Sequence, residues 1–208
     1  MLTIWGRASS SNVMKVLWVC EELGIPYERV DAGGAFGRTR DPEYLAMNPN
    51  ARVPTIVEPD GFSLWESNTI CRYLVATRSP GHALHPADPR LRARVERWMD
   101  WQLSHLGPPM TTIFFTWIRT PEAERNLQAA EAARVEAEGL WDMVETAIAA
   151  GDGLGGEAPT LADVVMGPVL HRWLNLPIER KPQPRIADWY QRLLTRPGFA
   201  RHIAVKMS

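Results

Sequence analysis

The sequence predicts a two-domain protein, a small α/β domain followed by an all-helical domain. Strand-like and helical patterns alternate over residues 1–78, whereas only helical patterns occur over residues 90–208. A segment rich in proline and glycine, residues 79–89, separates the two parts and is typical of a linker. The length of 208 residues is consistent with two small domains.

The first elements form a strand, a helix and a second strand. Leu2–Trp5 reads as a short strand. From Val13 to Leu23, apolar residues recur at helical spacing and predict one buried helix face. Gly24 follows in the position of a C-cap, and residues 27–31 read as the second strand.

The rest of the first domain contains a glycine-rich loop at residues 32–40, a short helix at Pro42–Met47 and a hairpin. The hairpin strands cover residues 55–58 and 62–65, and a helix follows at residues 67–77. The complete order is therefore βαβαββα, which is the thioredoxin-like order.

The second domain is predicted to be an all-α helical bundle. Its helical patterns cover residues 89–117, 121–150, 161–173, 186–194 and 198–205. Thr160 and Asp163 have the spacing of a capping box, which we interpret as the structural start of a buried helix.

Composition limits the possible partners and compartments. The formal net charge of −1 argues against nucleic acid or a membrane surface as the main partner. Cys20 and Cys71 lie in no metal-binding spacing, and Cys20 reads as a core residue of the first helix. We see neither a signal peptide nor an apolar stretch long enough to span a membrane, so we expect a cytoplasmic protein with free thiols.

A serine-rich turn at residues 7–15 joins the first strand to the first helix. The start of a helix offers unpaired N–H groups and partial positive charge, which favour anions, including a thiolate. A hydroxyl that donates a hydrogen bond to sulfur would favour the ionised thiol. The alternative is that residues 9–12 only cap the helix, and we expect at least one of them to do so.

Two further segments suit a peptide-like ligand. A cis bond between Val53 and Pro54 would turn the N–H and C=O of Val53 outward, and Arg52 could meet a carboxylate. The alternative is a trans proline at the start of a strand and a surface arginine. Glu66 and Ser67, before the third helix, suit an amino-acid head group, with Ser67 as the expected N-cap. The alternative there is a simple helix cap with a favourably placed acid.

Together these segments resemble the glutathione transferase family of the cytosolic type, over essentially the whole chain. The residues that carry the resemblance are Asn12, Val13 and Lys15; Asn48, Pro49, Val53 and Pro54; Glu66 and Ser67; the proline-rich linker; and Thr160 with Asp163. The pattern is similar to a bacterial theta/nu-like branch that uses serine and asparagine. The resemblance implies glutathione as co-substrate and no metal.

The resemblance also implies roles for the residues of the first domain that would bind glutathione. Val53, next to cis-Pro54, would hold the cysteinyl backbone. Glu66 and Ser67 would hold the γ-glutamyl group, and Arg52 would reach the glycine carboxylate.

Counting back from Lys15 leaves the catalytic hydroxyl open. The family places it five residues earlier, at Ser10, or four earlier, at Ser11. We favour Ser10 with Asn12 assisting, and Ser11 or Ser9 remain alternatives near the sulfur.

Met110, Phe114 and Trp117 lie at i, i+4 and i+7 in the long helix after the linker. The resemblance implies that this helix and the first turn line the second-substrate pocket. Ordinary core packing is the alternative for each of the three side chains.

The expected activity is the transfer of an apolar electrophile to the glutathione thiolate, a detoxification reaction in a cytoplasmic homodimer. Two alternatives remain open. One is glutathione-dependent peroxidase or disulfide-bond reductase activity at the same site. The other is a non-catalytic glutathione-binding or regulatory module. The expected partners are a small-molecule electrophile and a second copy of the chain.

Overall fold

The computed structural model describes residues 1–207, and its first domain has the predicted thioredoxin-like order. The strands form one sheet in the order β2-β1-β3-β4, with β1 and β2 parallel and the other pairs antiparallel. The elements are β1 (Leu2–Trp5), α1 (Ser11–Glu22), β2 (Tyr27–Val30), α2 (Pro42–Met47), β3 (Thr55–Val57), β4 (Ser63–Trp65) and α3 (Ser67–Arg78).

Helix α1 lies at the centre of the molecule. Every residue from Val13 to Cys20 is buried, because α3 packs against one part of the helix while helices of the second domain pack against another. Trp18 is fully buried and meets Phe199 edge to face at 5.2 Å between ring centroids. The prediction that Cys20 belongs to the core is confirmed, since it is 1% exposed.

The second domain is helical, as predicted. Its helices are α4 (Pro89–Trp101), α5 (Gly107–Phe114), α6 (Leu127–Ala149), α7 (Leu161–Asn175), α8 (Pro184–Leu194) and α9 (Pro197–His202). Residues 89–117 were expected to form one regular helix. The structure instead has two wider π turns, Gln102–Leu106 after α4 and Phe115–Arg119 after α5. The last helix ends at His202, earlier than expected.

The predicted capping box at the start of α7 is confirmed. The Asp163 carboxylate accepts hydrogen bonds from Thr160 N (2.7 Å), Thr160 Oγ1 (2.8 Å), Gly155 N (3.0 Å) and Trp189 Nε1 (2.9 Å). Because Trp189 belongs to α8, Asp163 ties the start of α7 to the neighbouring helix as well as to its own turn.

Helix α3 ends at Arg78 and α4 begins at Pro89. The division into residues 1–78, a linker at 79–89 and residues 90–208 stays our proposal, and Pro89 of that linker is the first residue of α4. Within residues 1–207, no helix combines the length and the apolar composition that crossing a bilayer requires.

Candidate functional site

A cavity of about 390 Å³ lies where the first domain meets the second, and we call it the interdomain cavity. The first domain contributes the turn before α1, the Gly33–Gly34 loop and the segment that ends at Val53. The second domain contributes α5, the π turn after it, and one residue of α7. The site is therefore built from parts of the chain that are distant in sequence.

The start of α1 presents Ser10, Ser11 and Asn12 to this cavity. Ser10 occupies the N-cap position, but its side chain makes no capping hydrogen bond. The expectation that a side chain of residues 9–12 caps the helix is therefore wrong. The physical consequence is that the first N–H groups of α1 keep their hydrogen-bonding capacity for a ligand.

Ser9 lies elsewhere. It lines a separate small crevice with Phe114 and His171, and it is not among the residues that border the interdomain cavity. The lining of the interdomain cavity therefore gives no support to the expected place of Ser9 beside the sulfur.

Val53 is held in place by a buried network beneath it. Tyr44 donates its hydroxyl to the Arg52 carbonyl at 2.6 Å, and the Asn48 amide donates to the same oxygen at 2.8 Å. Both side chains also bond to Thr55 Oγ1, at 2.9 and 3.0 Å. The Val53–Pro54 peptide bond is cis, as the resemblance implied. Neither the N–H nor the C=O of Val53 pairs with another group among residues 1–207.

Sequence reasoning missed the role of Tyr44. A tyrosine in a predicted short helix carried no signal that it would support the ligand-facing segment. Asn48 was part of the recognised pattern, and its burial at 2% exposure now explains why an amide is needed there: it donates two hydrogen bonds and accepts two from Asn50.

Glu66 and Ser67 border a narrow groove of about 60 Å³, next to Asn12 and Val53. Ser67 was expected as the N-cap of α3, but it is the first helical residue, and Glu66 takes the cap position. The reason is the left-handed backbone of Glu66, with φ at 72°, which completes the turn one residue earlier. A non-glycine residue rarely adopts this conformation outside functional or turn positions.

The residues predicted for the second-substrate pocket are separated. Phe114 lines the interdomain cavity, whereas Met110 lines an adjoining cavity of about 390 Å³. Trp117 borders neither, and Arg125 stacks on its ring at 5.4 Å. The spacing rule assumes a regular α-helix, and the π turn after Phe114 changes which residues share a face. Phe115 and Arg119 face the interdomain cavity instead.

Three arginines that sequence reasoning left without a role also border the interdomain cavity: Arg7, Arg119 and Arg172. Burial first, and then the like charges of Arg119 and Arg7, lower the pKa of Arg172 to about 10. Burial and Arg119 also lower the pKa of Arg7. The expected apolar pocket is therefore partly cationic. The available signal in the sequence was Arg172 itself, since it follows a mostly apolar stretch, residues 161–170, in the same predicted helical region.

Lys15 lies beneath the first turn of α1. It is 2% exposed, and its ammonium group donates to Asn68 Oδ1 and Gln102 Oε1, both at 3.3 Å. Burial lowers the pKa of Lys15 to about 8. Because Asn68 belongs to α3 and Gln102 to the second domain, Lys15 links the two sides of the site.

The thiols of the chain itself are poor candidates for the chemistry. Cys20 and Cys71 are free and buried, and burial raises the pKa of each to about 12. Across residues 1–207, no cluster of three or more histidine, cysteine or acidic side chains has an arrangement able to hold a metal ion.

A larger groove of about 630 Å³ runs between α4 and α6, lined by Trp98, Trp101 and Met143 among others. It shares no lining residue with the interdomain cavity. The volume of a cavity alone therefore does not identify the site. The unpaired backbone of Val53 and the uncapped start of α1 favour the interdomain cavity instead.

Both domains match family models of the same protein family. Residues 1–76 match the family model of the glutathione S-transferase N-terminal domain, and residues 128–192 match that of the C-terminal domain. The chain is 35% identical over its full length, and over all of the relative, to glutathione S-transferase GstB of Escherichia coli.

Solved structures and a more distant relative extend the comparison. A theta class glutathione S-transferase from Xanthomonas axonopodis pv. citri, solved with glutathione bound, is 39% identical and superposes with a TM-score of 0.92. The match covers 100% of this chain and 99% of that one. The disulfide-bond oxidoreductase YfcG of Escherichia coli is 28% identical over 92% of this chain and 89% of its own. The chain thus belongs to the glutathione S-transferase family, a family of transferases.

Proposed function

We propose that the chain binds glutathione in the interdomain cavity and transfers the glutathione sulfur to a small electrophile. The observation that carries this proposal is the N-terminus of α1, where the side chain of Ser10 leaves the helix uncapped at the edge of the cavity. The hydroxyl and the first N–H groups of the helix are thus available to one ligand atom with negative charge.

Groups on either side of the N-terminus of α1 bind the rest of the tripeptide. The free N–H and C=O of Val53 pair with the cysteinyl backbone as a neighbouring strand would. Glu66 accepts from the γ-glutamyl ammonium group, and the exposed start of α3 at Ser67 receives its carboxylate. Arg52 is exposed at the edge of both spaces and takes the glycine carboxylate.

The chemistry then needs only an ionised sulfur and a positioned electrophile. A free thiol with a pKa of about 8.5 is mostly protonated at neutral pH. A hydrogen bond from Ser10, with Asn12 assisting, favours the thiolate, and Ser11 is the alternative donor. The thiolate attacks the electrophilic carbon, and the leaving group departs with its bonding electrons.

Replacement of Ser10 by alanine tests this role. A hydrogen bond to a charged group is worth about 1.5–3 kcal/mol, so Ser10→Ala should raise the pKa of bound glutathione by about one to two units. The thiolate is followed by its ultraviolet absorbance during a pH titration of the complex. Ser11→Ala and Asn12→Ala locate any assisting donor, and Ser9→Ala is the matched control outside the cavity. An unchanged pKa in all three cavity variants would contradict the proposed mechanism.

Disulfide-bond reduction, or peroxide reduction at the same site, is the second candidate. The similarity to the disulfide-bond oxidoreductase YfcG favours the first of these two activities. Because Cys20 and Cys71 are buried, a glutathione thiolate rather than a protein thiol would attack the disulfide or peroxide. The initial rates of wild type with a mixed disulfide, a hydroperoxide and an aromatic electrophile decide between the activities. A non-catalytic module would retain glutathione binding and show none of the three.

We further propose that the protein is a cytoplasmic homodimer, with the electrophile as its small-molecule partner. The two free cysteines suit a reducing compartment. Sedimentation at several protein concentrations tests the dimer directly, and a monomer at all concentrations would contradict it.

A further inference from the structure

Arg7, Arg119 and Arg172 bring three guanidinium groups to one cavity without an acidic partner. Other partly buried arginines have acceptors: Arg78 pairs with Glu58 at 2.6 Å, and Arg180 donates to the backbone carbonyls of Leu174 and Leu176. None of the three cavity arginines takes part in an ion pair with any of residues 1–207, and no aspartate or glutamate borders this cavity or the adjoining one.

This arrangement carries an energetic cost in the empty protein. Arg7 and Arg172 are partly buried, and a cation in such a place without a counter-ion loses hydration without gaining an ion pair. Neighbouring like charges also repel each other. The lowered pKa of Arg172 reports both effects, since its causes are burial, Arg119 and Arg7, with no acid among them. A negatively charged ligand would remove the repulsion and supply the missing hydrogen-bond acceptors.

The positions of Arg119 and Arg172, the two arginines of the helical domain, indicate which of the two substrates carries the negative charge. The Arg172 guanidinium lies 3.7 Å from the centroid of the Phe114 ring, and that of Arg119 lies 5.6 Å from the same ring. Arg172 also borders the adjoining cavity together with Met110, and Val53 does not line that second cavity. Arg119 and Arg172 thus lie on the helical-domain wall of the interdomain cavity, whereas Arg52 also borders the groove beside Glu66 and Ser67.

We propose that the second substrate is an electrophile that carries a carboxylate, bound by Arg172 together with Arg119 and Arg7. Phe115, which is 56% exposed at the same cavity, offers an aromatic surface for the body of such a molecule. The inference rests on the proposed transferase function and names the substrate class of that site.

Para-chloromethylbenzoate is a suitable probe, with para-chloromethylbenzamide as its neutral match. In both, the glutathione sulfur forms a bond to the benzylic carbon, and the carbon–chlorine bond breaks with chloride taking the electron pair. The thiol proton has already gone to solvent, and the carboxylate or amide takes no part in bond making. Dividing each kcat/KM by the uncatalysed rate removes intrinsic differences in reactivity.

In the wild type, the kcat/KM corrected in this way should be about 10- to 100-fold higher for the benzoate than for the benzamide. This is the range expected from a charge-assisted hydrogen bond. Arg172→Gln should bring this ratio close to one, and Arg172→Lys should keep part of it because the charge remains while the planar fork is lost. Arg185→Gln, at an exposed arginine of α8 paired with Glu145, is the control and should leave the ratio unchanged.

Two outcomes would overturn the inference. One is a wild-type ratio near one. The other is that Arg172→Gln slows both probes equally and raises the KM of glutathione at least tenfold, which would assign the cluster to the glycine carboxylate. If Arg172→Gln does not fold, Arg119→Gln and Arg172→Lys provide the same comparison.

A binding measurement separates this inference from the proposed function. Calorimetry with S-(para-carboxybenzyl)glutathione and S-(para-carbamoylbenzyl)glutathione needs no turnover. The carboxylate should bind at least tenfold more tightly to the wild type, and equally to Arg172→Gln. Equal affinities in the wild type would refute the inference alone. If neither conjugate nor glutathione binds, the proposed function itself fails.

Discussion

Asp163 is expected to be among the most sensitive positions for stability, because one buried carboxylate satisfies four donors. Its exposure is 1%, and it accepts from the backbone of Gly155 and Thr160, from the Thr160 hydroxyl and from the indole of Trp189. In Asp163→Ala, the hydroxyl can rotate toward another acceptor. The three N–H groups cannot, and each unsatisfied buried donor costs about 1–3 kcal/mol.

The carboxylate also bears a burial cost that its removal relieves, since burial raises the pKa of Asp163. We therefore expect Asp163→Ala to lower the free energy of unfolding by about 4 kcal/mol. For a chain of this size, that is a fall in Tm of about 8–16 °C. Asp163→Asn keeps one acceptor oxygen but faces the Thr160 N–H with a donor, and should cost about 2 kcal/mol.

Thr160→Val is the matched control because it removes only the hydroxyl, and about 1 kcal/mol is expected. Urea unfolding followed by tryptophan fluorescence and by circular dichroism measures all three variants. The reasoning would be refuted if Asp163→Ala melted within about 2 °C of the wild type, or if the alanine and asparagine variants were equally stable.

Three further predictions concern other buried positions. The pKa of Lys15, about 8, lies below its unfolded value of 10.5, so the folded state binds fewer protons and stability rises with pH. Relative to Lys15→Met, the free energy of unfolding of the wild type should therefore rise by about 1 kcal/mol between about pH 7 and 9, as measured by urea unfolding. Asn48→Ala should weaken glutathione binding about tenfold in calorimetry, because the segment that presents Val53 loses its anchor. Gly167→Ala should cost about 1–2 kcal/mol in urea unfolding, since the added methyl would lie 2.9 Å from Trp18.

Each of these has a clear contrary result. If the free energy of unfolding changed with pH in the same way for the wild type and Lys15→Met, a lowered pKa of Lys15 in the folded protein would be excluded. Unchanged glutathione affinity in a folded Asn48→Ala protein would show that the network is not needed for binding. Gly24→Ala is the control for Gly167→Ala, since no atom lies within 4 Å of the added carbon and only backbone strain at its φ of 61° is expected.

Local patterns predicted the secondary structure of the first domain well. The strand Leu2–Trp5 and the helix Pro42–Met47 have the expected bounds, and the hairpin strands are each one residue shorter than expected. Such elements are readable because alternation, helical spacing and turn residues act over a few neighbouring positions. The long helix after the linker was predicted less well, since a π turn depends on how neighbouring helices pack rather than on a local pattern.

The candidate site shows the same division. Val53, Pro54, Glu66 and Ser67 were identified because they belong to a recognisable order along the chain. Trp117 was assigned to the pocket on the assumption of a regular helix, and it borders neither of the two cavities.

The order of elements, the two-part organisation and the segments around the groove beside Glu66 and Ser67 were all predictable from the chain's residues. Each of these depends on residues close together in the chain, where backbone preferences and hydrophobic spacing act directly. The shared cavity of Arg7, Arg119 and Arg172, in contrast, is visible only in the folded protein. Their meeting depends on the packing of α7 against the first domain and on the course of the π turn that ends at Arg119, and neither is a property of any short stretch of sequence.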